Sequence, residues 1–256
     1  MYMDTIQKMG DSAKNKSDLL GKSIIKYLLS SVLAGMYVGF GVMLTFSIGA
    51  PFAAANSPAT KLIMGTSFGI ALSLVIFAGA ELFTGNTMVL VLGRLLKKVS
   101  LRDVIGIWVL SFVGNWMGSI LLAYLTVYSG LLTNPPQSNF ILSVAEAKMS
   151  APALQLFLRG ILCNMLVCLA VWASTKVKED TAKLILIWWC LFGFVGAGFE
   201  HSIANMSLLG MALLLPHDPA VIHMGGYLYN LAVVTVGNVI GGTCLVGISY
   251  WYISKE

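Results

Sequence analysis

The sequence predicts an all-α membrane protein of six transmembrane helices, and three observations carry that prediction. The chain of 256 residues is 57% hydrophobic and only 11% charged, with a mean hydropathy of +0.84, far from the composition of a soluble domain. Its apolar residues gather into six runs, at 27–50, 63–93, 104–128, 154–174, 182–213 and 228–252, each long enough to span a bilayer, which takes about 20 residues. Polar side chains recur inside the second and fifth runs. These two are also longer than a straight helix needs, so they are expected to be tilted or interrupted.

The first run is preceded by residues 1–26, a polar N-terminal segment without the apolar core of a signal peptide, so the first span is expected to act as the insertion signal. Residues 27–252 form the six-span domain and 253–256 a short tail. Basic residues set the orientation. Lys8, Lys14, Lys16, Lys22, Lys26, Arg94, Lys97, Lys98, Arg102, Lys176, Lys178, Lys183 and Lys255 fall on one side, and only Lys61 and Lys148 on the other. Both termini are therefore expected in the cytoplasm. The net charge of +5 is mostly this orientation signal, and nothing in it points to nucleic acid. Arg159, inside the fourth span, needs a partner that the sequence does not name. The cysteines Cys163, Cys168, Cys190 and Cys244 lie in spans without metal-ligand spacing and read as small apolar packing residues.

A spaced repeat links the halves 27–128 and 154–252. Gly79-x-Glu81-x4-Asn86 in span two matches Gly198-x-Glu200-x4-Asn205 in span five, and Gly114-Asn115-x-x-Gly118 in span three matches Gly237-Asn238-x-x-Gly241 in span six. Spans one and four share only Leu33-x-Gly35 and Leu158-x-Gly160. Two motifs in one order predict a three-plus-three duplication. An odd number of spans per half inverts the second half in the bilayer, the plan of many channels and transporters.

Glu81 and Glu200 are the only acidic residues inside spans, where a bare carboxylate costs about 2.5–3.5 kcal/mol or more. With Asn86 and Asn205 they are expected to clasp the broken backbone rather than to touch substrate, because opened helices free N–H and C=O groups that need partners. His201 has no twin, its counterpart being Leu82. Histidine changes charge near neutral pH, so its two readings are a satisfied structural residue and a site of hydrogen bonding or proton exchange with a solute. Thr84 can stand beside it if the two breaks meet. The close-spaced glycines of spans one and three read as helix packing.

These residues resemble the formate/nitrite transporter family. The motifs are AGAELFTGNTM (78–88), GNWMGS (114–119), RGILCNMLVCLAVW (159–172) and GFEHSIANM (198–206), and the likeness runs over about residues 20–253, nearest to the hydrosulfide channels. The resemblance implies an aquaporin-like protomer of a homopentamer in the bacterial inner membrane, with one pore per protomer. Thr84 and His201 would line a central chamber and Leu72, Leu82 and Phe194 would form apolar constrictions. Asn205 would be a polar pore residue, and Lys148 would draw anions toward the mouth. Formate members usually carry serine where this chain has Gly85, which weakens formate as the main substrate.

The expected function is passive, pH-sensitive passage of a small monovalent weak-acid anion: hydrosulfide first, then formate, nitrite or chloride. The competing readings are a proton-coupled formate or nitrite transporter and an aquaporin-like pore for neutral solutes. Asn86-Thr87 and Asn205-Met206 in place of paired Asn-Pro-Ala boxes count against the last. No nucleophile–base pair, metal-ligand cluster or phosphate loop suggests an enzyme or a cofactor.

Overall fold

The computed structural model describes residues 2–255, so the first residue of the expected N-terminal segment and the last of the tail lie outside it. Among the described residues the regular structure is entirely helical, and six stretches are long and apolar enough to cross a membrane. The first is α2 (Ile24–Ala54), whose N-terminus Ser23 caps by accepting a hydrogen bond from the Lys26 N–H. The second is assembled from α3 (Thr60–Ser67), α4 (Ile70–Leu74) and a π-helical turn at Val75–Gly79. After a gap comes α5 (Phe83–Leu95). The third span is α6 (Leu101–Tyr128), opened by a capping box in which Ser100 and Asp103 satisfy each other's backbone N–H groups.

The second half follows with α7 (Gln137–Ser150), the fourth span α8 (Ala153–Lys176) and the fifth span α9 (Asp180–Ala197). After a second gap, α10 (Ser202–Leu214) leads to the sixth span, built from α11 (Met224–Ile240), a π-helical stretch at Gly241–Ile248 and α12 (Ser249–Ile253).

Two crossings organise the interior. Helix α2 lies against α6 so closely that a Cβ on Gly118 would strike the Val32 carbonyl. Helix α8 lies equally close to the sixth span, where a Cβ on Gly241 would strike the Ile161 carbonyl. Small residues permit this approach, and in a membrane such packing replaces the hydrophobic effect as the force between helices. Large apolar residues such as Ile25, Leu29, Ile105, Val109, Leu158 and Trp189 face outward, as lipid contact requires.

The N-terminal segment departs from the sequence reading. Residues read there only as polar form a helix, α1 (Met3–Lys22). Its Ile6, Met9 and Ala13 are buried in one apolar cluster with Met88, Leu90 and Leu92. That stripe, spaced by three and four residues, is an ordinary amphipathic pattern set in a segment whose average polarity hides it.

Candidate functional site

Both gaps are built the same way. The helix before each ends on a glycine in the left-handed region, Gly79 at φ 79° and Gly198 at φ 78°, a conformation that costs L-residues energy and glycine nothing. The chain then runs extended through Ala80 and Leu82 in one gap and His201 in the other. Opened backbone must find partners, and the repeated asparagines supply them. Asn115 Oδ1 accepts from the Phe83 N–H at 2.9 Å, while its Nδ2 donates to the carbonyls of Ser31 at 2.7 Å and Glu81 at 2.9 Å. Asn238 Oδ1 accepts from the Ser202 N–H at 2.9 Å, and its Nδ2 donates to the carbonyls of Gly160 at 2.8 Å and Glu200 at 3.0 Å. Glu81 N–H donates to the Ser30 carbonyl and Glu200 N–H to that of Arg159, both at 3.3 Å.

These bonds revise two expectations. The backbone clasp falls to Asn115 and Asn238, not to Glu81, Asn86, Glu200 and Asn205, whose side chains bond to other side chains and to lysines. They also equate Ser31 with Gly160, and Ser30 with Arg159, about one helical turn away from the pairing suggested by Leu33-x-Gly35 and Leu158-x-Gly160. Short motifs of leucine and glycine recur too often in spans to fix a register. Arg159 itself is exposed and donates to Gln155 Oε1 at 3.2 Å.

Each gap carries a lysine–glutamate pair. Lys16, on α1, reaches Glu81 Oε1 at 2.7 Å, and Tyr27 Oη and Asn86 Nδ2 donate to Oε2 at 2.9 and 3.1 Å. Lys148, on α7, reaches Glu200 Oε2 at 2.7 Å, which Asn205 Nδ2 also approaches at 2.6 Å. Asn205 Nδ2 further donates to Asn230 Oδ1 at 2.8 Å. Sequence reading missed Lys16 and Tyr27. The signal for Lys16 was its place three residues after Ala13 on the buried stripe of α1.

Between the pairs sits His201. As the N-cap of α10 its Nδ1 accepts from the Ala204 N–H at 3.1 Å. An accepting Nδ1 in a neutral ring puts the proton on Nε2, which faces Thr84 Oγ1 at 3.0 Å. Thr84 is thereby the acceptor, and its own hydroxyl proton has no acceptor among the described residues. The imidazole stacks on Phe194, with ring centroids 5.8 Å apart and planes within 15°. Asn164 adds a further anchor: its Nδ2 donates to Thr84 O, Thr87 Oγ1 and Asn238 O at 3.2, 3.0 and 2.6 Å.

Three cavities follow one another through shared walls. One of about 540 Å³ is lined by Lys61, Lys148, Asn205, Phe68, Phe194 and His201, among others. A space of about 10 Å³, room for one water at most, is bounded by Phe68, Leu72, Leu82, Phe194 and His201. A third of about 460 Å³ shares Leu72 and Leu82 with it and adds Lys16, Glu81, Gly85 and Asn86. The structure thus brings the three apolar residues Leu72, Leu82 and Phe194 together with His201 at one narrow point. Thr84 is behind His201, fully buried. Glu200 touches none of these spaces directly and acts on the first through Lys148 and Asn205.

Six apolar spans enclosing wide, narrow and wide spaces in series, with polar groups at the narrowing, define a membrane transport protein and not an enzyme. The chain belongs to the formate/nitrite transporter family, whose pattern matches residues 3–252. It is 41% identical over 256 residues to the nitrite transporter NirC of Salmonella typhimurium, covering all of this chain and 93% of that one. It is 31% identical over 241 residues to the formate channel FocA of Haemophilus influenzae, covering 87% and 83%. Among solved structures, an ion channel of the same family superposes with a TM-score of 0.94 at 40% identity, over 99% of this chain and all of that one. A pentameric formate channel with formate bound superposes at 0.79 and 28% identity, over 92% and 99%.

Proposed function

We propose that this protein is a passive channel for small monovalent weak-acid anions, with nitrite first among them. It is read as a homopentamer in a bacterial inner membrane, with six spans over 27–252, inverted halves and both termini in the cytoplasm. The observation that carries the reading is the His201–Thr84 pair beside a narrowing made of Leu72, Leu82 and Phe194, with a lysine-bearing cavity on either side. An anion loses its water only where donors replace it. Lysine ammoniums line both wide cavities, both amide protons of Asn205 are already given to Glu200 and Asn230, and His201, with Thr84 hydrogen-bonded behind it, is the polar group at the narrowing. Apolar side chains at the narrowing exclude larger hydrated ions, and a proton that His201 takes up from water and hands to the anion would carry it across as its neutral acid, leaving the ring neutral again. The family and the names of the relatives above support nitrite and formate. By the motif resemblance, Gly85 stands where formate members usually carry serine, which argues for nitrite ahead of formate. Hydrosulfide remains the second reading, on the motif resemblance.

The test is flux of nitrite, formate, hydrosulfide and chloride into liposomes at two pH values, with wild type and His201→Phe. Wild type is expected to pass the weak acids faster at lower pH and chloride poorly. His201→Phe is expected to lose about tenfold or more, the scale of one hydrogen bond to an anion, together with the pH response. An unchanged rate and pH profile in that variant removes His201 from the mechanism, and flux that requires a proton gradient replaces the passive reading with a proton-coupled one.

A further inference from the structure

The charges that line the two wide cavities do not balance in the same way. In the cavity beside Leu82 and Asn86 the charged lining residues are Lys16 and Glu81, paired with each other at 2.7 Å. Its lining is electrically neutral. In the cavity beside Phe194 they are Lys61 and Lys148. Lys148 is committed: its ammonium is 2.7 Å from Glu200, a carboxylate whose side chain is only 4% exposed. Lys61, the second residue of α3, is exposed, and its ammonium makes no hydrogen bond or ion pair with any described residue. Of the two other carboxylates nearby in sequence to this side, Glu146 and Asp218, neither lines the cavity.

We infer that Lys61, not Lys148, is the charge that gathers anions at this mouth, an inference that rests on the anion-channel reading above. An unpaired ammonium on the wall of a low-dielectric funnel raises the local anion concentration, whereas a lysine bonded to a carboxylate presents a dipole whose field falls off faster with distance. Lys148 and Glu200 set the geometry of the wall, and Lys61 supplies its net charge.

The test uses full-length Lys61→Cys in liposomes. Nitrite uptake from outside is measured before and after external treatment with a membrane-impermeant cationic or anionic methanethiosulfonate. Wild type treated alike reports on the native cysteines, and external reagent with external anion selects the molecules whose Lys61 side faces out. At an ionic strength of ~10 mM, Lys61→Cys is expected to slow uptake about 2- to 5-fold, the effect of one unit charge near 10 Å in a medium close to water. The cationic adduct restores the rate, and the anionic adduct lowers it by a similar factor again. At ~1 M salt, where the screening length is about 3 Å, the three forms converge. Equal rates for all three forms at low salt, or slowing by both adducts alike, overturn the assignment while wild type still passes nitrite. If wild type passes none of nitrite, formate or hydrosulfide, the channel reading falls and the assignment with it. Should Lys61→Cys fail to assemble, Lys61→Gln against Lys61→Glu gives the same comparison of charge.

Discussion

The two gaps in the helices share a backbone design and differ in the side chains placed on it. Each has a left-handed glycine, a glutamate held by a lysine, and an asparagine from the following span that binds one N–H and two carbonyls. Against that common frame, His201 stands where the first gap has Leu82, and Thr84 where the second has Ile203. By the hydrogen-bonded register, Asn164 stands where α2 has Gly35. These three unmatched residues meet at the centre. Repeated positions hold the opened backbone, and the chemistry proposed above rests on two positions that break the repeat, His201 and Thr84.

The largest expected effects attack the shared frame. Asn115→Leu and Asn238→Leu each remove three hydrogen bonds and strand buried backbone groups. At about 1–3 kcal/mol per unsatisfied group, each is expected to cost about 3–9 kcal/mol, seen as loss of the folded species in detergent thermal melts. Equal losses sharpen the comparison; a mild effect in one half would break it.

Next come the lysines. Removing one member of a buried ion pair costs about 3–5 kcal/mol because it leaves the other charge uncompensated. Glu81 keeps Tyr27 and Asn86 as donors after Lys16→Met, whereas Glu200 keeps only Asn205 after Lys148→Met. Lys148→Met is therefore expected to lower the melting temperature more than Lys16→Met, and the reverse order would show that the extra donors of the first gap carry no weight.

How much of this was legible depended on whether chemistry or geometry marked the residue. The six spans and two interruptions follow from apolar run length and from polar residues set among them, because a bilayer punishes any other arrangement. His201 stood out for the same reason. Lys16 did not, because its role appears only when α1 folds back, and neither did the clasp by Asn115 and Asn238. Their motif was visible, but which of the repeated polar residues would reach the backbone depends on the α2–α6 and α8–α11 crossings. Arg159 looked buried from its place in the fourth span and is exposed, since helix rotation decides which face a residue presents.

The smallest expected effect lies outside the repeat, at the start of α6. Asp103 accepts from the Ser100 N–H and hydroxyl at 2.8 and 2.6 Å. Asp103→Ala is expected to cost about 0.5–1 kcal/mol, seen in detergent thermal melts. It serves as the control that a frame-independent cap changes stability without changing flux.

By itself the sequence determined the membrane class, the six spans, the places where two of them break and the paired glutamates, because apolar length and buried charge are constrained residue by residue. Tertiary structure alone decided that the two breaks meet, that His201 caps a helix with one nitrogen and faces Thr84 with the other, and that one cavity keeps an unpaired lysine while the other does not. Those outcomes depend on which distant helices touch and at what register, and a hydrogen bond of 3 Å between residues 84 and 201 leaves no mark in the local sequence around either.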